Sequence, residues 1–183
     1  MNIRHITAAV IAITAAVLPS HAQTMDDVKR STSTPLTLSC RMMKQNNQQT
    51  VNYRSSWGSS DIDTSRQSVY QLMLRWGKDE PQKVTIEEIY IVSASKKNFV
   101  HGSHERTVTL EPKKSTEIAI VTPQIDGNRT QFVLSGYNSE AGATLKGIVV
   151  RVKIDDKIVK VYASDGAWSK LAWLTPFTLE PKI

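Results

Sequence analysis

The sequence has few of the residues that cross-link or stiffen small domains. Cys40 is the single cysteine in 183 residues, which excludes an internal disulfide framework. Eight glycines and seven prolines are too few for a collagen-like chain. Hydrophobic residues make up 40% of the chain and charged residues 22%, which excludes a wholly disordered protein. What remains is an ordinary globular composition, and the length favours one domain.

A long apolar run is present at the N-terminus. Arg4 precedes the largely apolar residues 6–18, and Pro19 and then Ser20-His21-Ala22 follow. A positive start, an apolar stretch and small residues before the cut are typical of a signal peptide, so we predict that residues 1–22 are removed. The run is shorter than the roughly 20 residues that span a bilayer. We therefore expect a periplasmic or secreted protein with no integral membrane segment after cleavage.

The rest of the chain divides into a leader and one domain. Residues 23–35 are rich in Ser and Thr and poor in large apolar residues, which predicts a flexible leader. Residues 36–183 carry apolar residues that alternate with polar ones, which is the period of a half-buried strand. The predicted strands lie at residues 36–42, 51–54, 69–76, 84–95, 105–110, 116–122 and 131–135, and in a final hairpin from residue 148 to residue 163.

The final hairpin is the clearest structural signal. Apolar residues at 148, 150, 152 and 154 are expected to face those at 159, 161 and 163 across the turn Asp155-Asp156. Arg151, Lys153 and Lys160 are then expected on its solvent face. Ser164 can cap a short final helix that contains Trp168, Leu171 and Ala172. This pattern predicts an all-β, antiparallel two-sheet sandwich of about seven strands, immunoglobulin-like or fibronectin type III-like, with a short C-terminal helix.

The segment from Gly147 to Ser164, with Trp168 and Leu171 after it, resembles the C-terminal end of uncharacterised secreted bacterial β-sandwich proteins. The turn Leu110-Glu-Pro-Lys-Lys-Ser115 shares the resemblance. It implies a scaffold and no activity.

Side chains for chemistry are sparse. The sequence contains no nucleophile elbow and no phosphate-binding loop, and no catalytic residue is predicted. His101 and His104 are weak candidates for metal ligands in a predicted loop, because a zinc site needs three or four ligands. Asp61 and Asp63 begin like a calcium loop, which then fails, and a polar turn is expected there. No metal or other cofactor is predicted.

Two aromatic residues in polar loops, Trp57 and Tyr137, are weak candidates for stacking on a sugar ring. Cys40 falls in an apolar set and is expected to be a small buried hydrophobe rather than a reactive thiol.

These observations lead to three hypotheses about function. The first is a non-enzymatic exported interaction module that binds an envelope or extracellular protein. The alternative is a carbohydrate-binding module that uses Trp57 and Tyr137, and the third is a metal-dependent hydrolase built on His101 and His104. Nucleic acid is not expected as a partner outside the cell. The net charge of +6 suits anionic cell-wall polymers, acidic glycans or lipid headgroups.

Overall fold

The fold is an antiparallel sandwich of two sheets. A computed structural model of the chain describes residues 34–54, 59–132 and 138–179. Nine strands lie in these residues, in the order β1-β2-β6-β7 with β5 also paired to β2, and β4-β3-β8-β9. Their bounds are β1 Leu36–Arg54, β2 Ser59–Trp76, β3 Gln82–Ala94, β4 Lys97–Leu110, β5 Ser115–Val121, β6 Ile125–Phe132, β7 Asn138–Gly142, β8 Thr144–Ile154 and β9 Lys157–Ala163.

The strand order confirms the predicted fold class. Five strands form one antiparallel sheet and four the other, so the described residues contain nine strands where about seven were predicted. The predicted C-terminal helix is replaced by two single 3-10 turns, Gly166–Trp168 and Leu171–Trp173. Asp165 caps the first turn by accepting a hydrogen bond from the Ala167 N–H, so the chain turns at Asp165 and not at Ser164.

Alternating residues of both sheets build the main core. Leu72 and Leu74 of β2 and Ile120 of β5 pack with Ile86 of β3 and Val150 of β8, and all five are fully buried. Burial of each such side chain stabilises the fold by about 1.5–3 kcal/mol. This core fixes the first half of β1 and the last half of β2.

A second cluster covers the outer face of the β4-β3-β8-β9 sheet. Ile89, Ile91 and Val149 point to this face and pack against Trp168 and Ala172 of the C-terminal segment. Within the described residues, no helix is long and apolar enough to cross a membrane.

The C-terminal segment overturns the predicted solvent face of the last hairpin. Arg151 is only 2% exposed, because its guanidinium donates to the Leu174 carbonyl at 2.6 Å and lies 5.1 Å from the centre of the Phe177 ring. Burial lowers the pKa of Arg151. A bulge between Val152 and Lys153 shifts the register, so Val159 joins the main core while Val161 packs on the outer face, contrary to the expected facing pairs.

The polar stretch between residues 43 and 68 is strand along its described length, although a strand was predicted only at 51–54. Residues 44–54 of β1 pair with 59–69 of β2, and residues 59–66 of β2 also pair with β6, which in turn pairs with β7. We call residues 44–54, 59–66, β6 and β7 the polar sheet. Residues 44–51 of β1 are all exposed. The ladder continues outward from the core, so these strands need no apolar alternation of their own.

Candidate functional site

A carboxylate lies inside the sandwich. Glu88 of β3 is 1% exposed and forms an ion pair with Arg106 of β4. The Tyr90 hydroxyl donates to Glu88 Oε2 at 2.8 Å. Burial and then the Glu88 carboxylate raise the pKa of Tyr90. Glu88 Oε2 therefore accepts a hydrogen bond and Oε1 lies in the ion pair with Arg106, so the cluster links β4 to β3 inside the sandwich.

The two histidines lie in β4, so the predicted loop at residues 96–104 is wrong. Tyr90 pairs with Gly102 and Ile91 with Val100, which leaves His101 as the extra residue of a bulge, and it is exposed. His104 lies opposite Glu88 in the ladder, with Nδ1 3.9 Å from Glu88 Oε2. No group of three or more potential metal ligands occurs among residues 34–54, 59–132 and 138–179.

The other side chains singled out in the sequence are not brought together with the histidines in the described residues. Trp57 and Tyr137 lie outside the described residues, and their predicted role stays a prediction. Asp61 and Asp63 lie within β2, where a turn was expected, and the Asn128 side chain donates to Asp63 Oδ1 at 2.7 Å.

Cys40 lies in β1 and packs against the main core, but it is half-buried where a buried side chain was expected. Burial, and secondarily the charge of Glu88, raises the pKa of the Cys40 thiol to about 12. A thiol that stays protonated at neutral pH is a poor nucleophile.

The feature that sequence reasoning missed is the outer edge of the polar sheet. Among the described residues, β1 pairs with β2 alone, so its other side is an edge. Ser68 of β2 bonds Thr122 through both its N–H and its C=O, and these bonds point away from β1. Gln45 is the partner of Ser68 in β1. Because peptide groups alternate in direction along an antiparallel strand, Gln45 turns its N–H and C=O away from β2 as well.

The same alternation runs along the rest of β1. The outward residues are Gln45, Asn47, Gln49 and Val51, whereas Asn46, Gln48 and Thr50 bond β2. Apolar side chains flank this edge: Met42 and Met43 are 53% and 54% exposed at one end, and Val51 is 40% exposed at the other. A sequence without apolar alternation gives no signal for such an edge, because only its pairing within the sheet defines it.

One face of the polar sheet lies across a cleft from the turn between β3 and β4. The cleft has a volume of about 730 Å³. Its walls come from β1, β2, β6, the β3–β4 turn and the start of β8, and Arg66, Lys96 and Lys146 line it.

Comparison with known proteins adds no functional assignment. No family model matches the chain, and no curated protein matches it. A solved structure of a protein from Akkermansia muciniphila is 13% identical, with a TM-score of 0.28 over 74% of each chain. A protein from Archaeoglobus fulgidus is 11% identical, with a TM-score of 0.29 over 67% of this chain and 92% of its own. Neither is described with an activity.

Proposed function

We propose that the protein is a non-enzymatic, exported interaction module that binds an extended segment of a partner protein along the outer edge of β1. The observation that carries the proposal is the row of outward peptide groups at Gln45, Asn47 and Gln49, in a stretch that is exposed throughout. An open strand edge accepts a further strand through main-chain hydrogen bonds. Natural edges are often blocked by proline, and residues 44–54 contain none.

The side chains around the edge indicate what the partner segment looks like. Its centre would lie beside Gln and Asn side chains, which favours polar residues there. Its ends would meet Met43 and Val51, which are eight residue steps and so about 26 Å apart along an extended strand. We therefore expect a partner segment of about ten residues with an apolar residue near each end and a polar middle.

The proposal places the protein in the periplasm or outside the cell, on the strength of the signal-peptide pattern at residues 1–22. The exported form is expected to begin at Gln23. N-terminal sequencing of that form tests this, and an exported form that still began at Met1 would contradict it.

The experiment on the edge uses the mature chain as bait in an envelope extract, in three versions. Asn47→Pro removes one outward N–H and fills the edge with a ring, whereas Asn47→Ala keeps the N–H and is the matched control. We expect wild type and N47A to retain the same protein and N47P to lose at least nine tenths of it. Equal retention by N47P, with an unchanged melting temperature, would contradict binding at the β1 edge.

A further inference from the structure

The cleft between the polar sheet and the β3–β4 turn gathers positive charge. Arg66 comes from β2, Lys96 from the turn and Lys146 from β8, and the residues that line the cleft include no Asp or Glu. None of the three cations forms an ion pair with another residue that the structure describes. Cations elsewhere do pair, as Lys153 does with Glu105 at 2.7 Å. Three unpaired cations around one concavity produce a local positive potential.

From this arrangement we infer that the cleft binds a ligand with several oxyanion groups. The cleft volume of about 730 Å³ lies within the range of roughly 300–1,000 Å³ that ligand sites occupy. A volume of this size accommodates a short chain of anionic units, and three separate cations suit more than one anionic group.

Hydroxyl and amide groups complete the lining. Ser93, Ser95 and Thr144 contribute hydroxyls that can donate to an anion, and Gln49 contributes an amide. The Asn128 amide also lines the cleft, but it donates to Asp63 at 2.7 Å. Thr64 also lines the cleft, and its hydroxyl donates to the Gly127 carbonyl at 3.2 Å. Charged hydrogen bonds from the cations and neutral ones from the three free hydroxyls and Gln49 are the combination that recognises phosphate, sulfate or carboxylate.

The turn that carries Lys96 is short and has an unusual sequence for its conformation. Ser95 and Lys96 have φ values of 49° and 64°, and the turn joins β3 directly to β4. Asn-Gly is the usual pair in such a two-residue turn, because both positions need a positive φ. Ser95 and Lys96 adopt this conformation at a cost in free energy, as Asp155 and Asp156 do in the β8–β9 turn.

The ligand class is tested by calorimetric titration of the mature protein with three probes. Tripolyphosphate represents phosphate, a heparin-derived hexasaccharide represents sulfate, and a hexamer of galacturonic acid represents carboxylate. We expect wild type to bind at least one of them, and the probe that binds identifies the anionic group. Failure to bind any of the three would overturn the inference.

The location is tested by a triple variant, Arg66→Gln with Lys96→Gln and Lys146→Gln. The matched control removes the same charge from exposed lysines outside the cleft, with Lys83→Gln, Lys114→Gln and Lys157→Gln. We expect the cleft variant to weaken binding more than tenfold and the control less than threefold. Equal losses of affinity in the two variants would show that the probe responds to net charge alone, and would overturn the assignment of the site to the cleft.

Discussion

Gly147→Ala probes how the C-terminal segment is held on the sandwich. A Cβ at position 147 would lie 1.9 Å from Ser164 Oγ and 3.0 Å from Trp168 Cζ3. Ser164 Oγ accepts a hydrogen bond from the Ile148 N–H at 2.9 Å, and Trp168 is the buried anchor of the second cluster. The new methyl group therefore has to displace a hydrogen-bonding hydroxyl, a core ring, or both.

The magnitude follows from these two contacts. Rotation of the Ser164 hydroxyl leaves the buried Ile148 N–H without its partner, which costs about 1–3 kcal/mol. Crowding of Trp168 in a packed cluster costs a further 1–3 kcal/mol, roughly. We expect Gly147→Ala to lower the free energy of unfolding by about 2–6 kcal/mol, which in a domain of this size lowers the melting temperature by roughly 4–24 °C.

Thermal melts followed by circular dichroism measure the effect. Gly166→Ala is the matched control in the same segment, because nothing lies within 4 Å of the Cβ it would add. Adding Ser164→Ala to Gly147→Ala removes the closest clashing atom and should recover part of the loss, so the two changes should be non-additive. If Gly147→Ala and Gly166→Ala melted at the same temperature, the packing of Trp168 against β8 would be refuted.

Three further outcomes are expected. Arg106→Met should destabilise the fold by about 3 kcal/mol in urea unfolding, because it leaves the buried carboxylate of Glu88 without its cation. Arg106→Lys should lose less stability. An unchanged urea midpoint for Arg106→Met would count against the buried ion pair. Cys40 should react with iodoacetamide at pH 7.5 at least tenfold more slowly in the folded protein than in urea, since burial holds its thiol protonated. Equal rates in the folded and unfolded protein would contradict the raised pKa of the thiol. Lys153→Asp should destabilise the fold by about 1–2 kcal/mol, because Lys153 Nζ lies 3.1 Å from Glu87 Oε2 and the substitution places a second carboxylate near Glu87. Lys153→Met should lose less stability. If Lys153→Asp cost no more than the same change at an exposed lysine, the ion pair would be refuted.

The sequence predicts the sandwich because the apolar alternation of the core strands survives in the fold. Residues 69–76 and 84–94 show that alternation, and both lie in central strands that the opposite sheet covers. The solvent face of the last hairpin could not be predicted in the same way. Arg151 belongs to the polar set of β8, and its burial depends on a C-terminal segment that crosses the sheet more than 20 residues later.

The candidate site was less accessible to sequence reasoning than the fold. Residues 44–50 are six polar side chains and a threonine, a composition that indicates a loop when read without its neighbours. They form a strand because β2 is held in the core at residues 70–76 and its ladder with β1 continues past the core. The cleft cations are similarly far apart in sequence, at positions 66, 96 and 146, and only the fold brings them to one concavity.

Amide hydrogen exchange, resolved by residue on the chain from Gln23 onward, tests the central claim most directly. The account predicts that the N–H groups of Gln45, Asn47 and Gln49 exchange quickly in the free protein, while those of Asn46 and Gln48, which bond β2, exchange slowly. Addition of the captured partner should slow the first set and leave the second unchanged. Slow exchange of Gln45, Asn47 and Gln49 in the free monomer would show that the edge is already covered, and would contradict an open β1 edge as the binding surface.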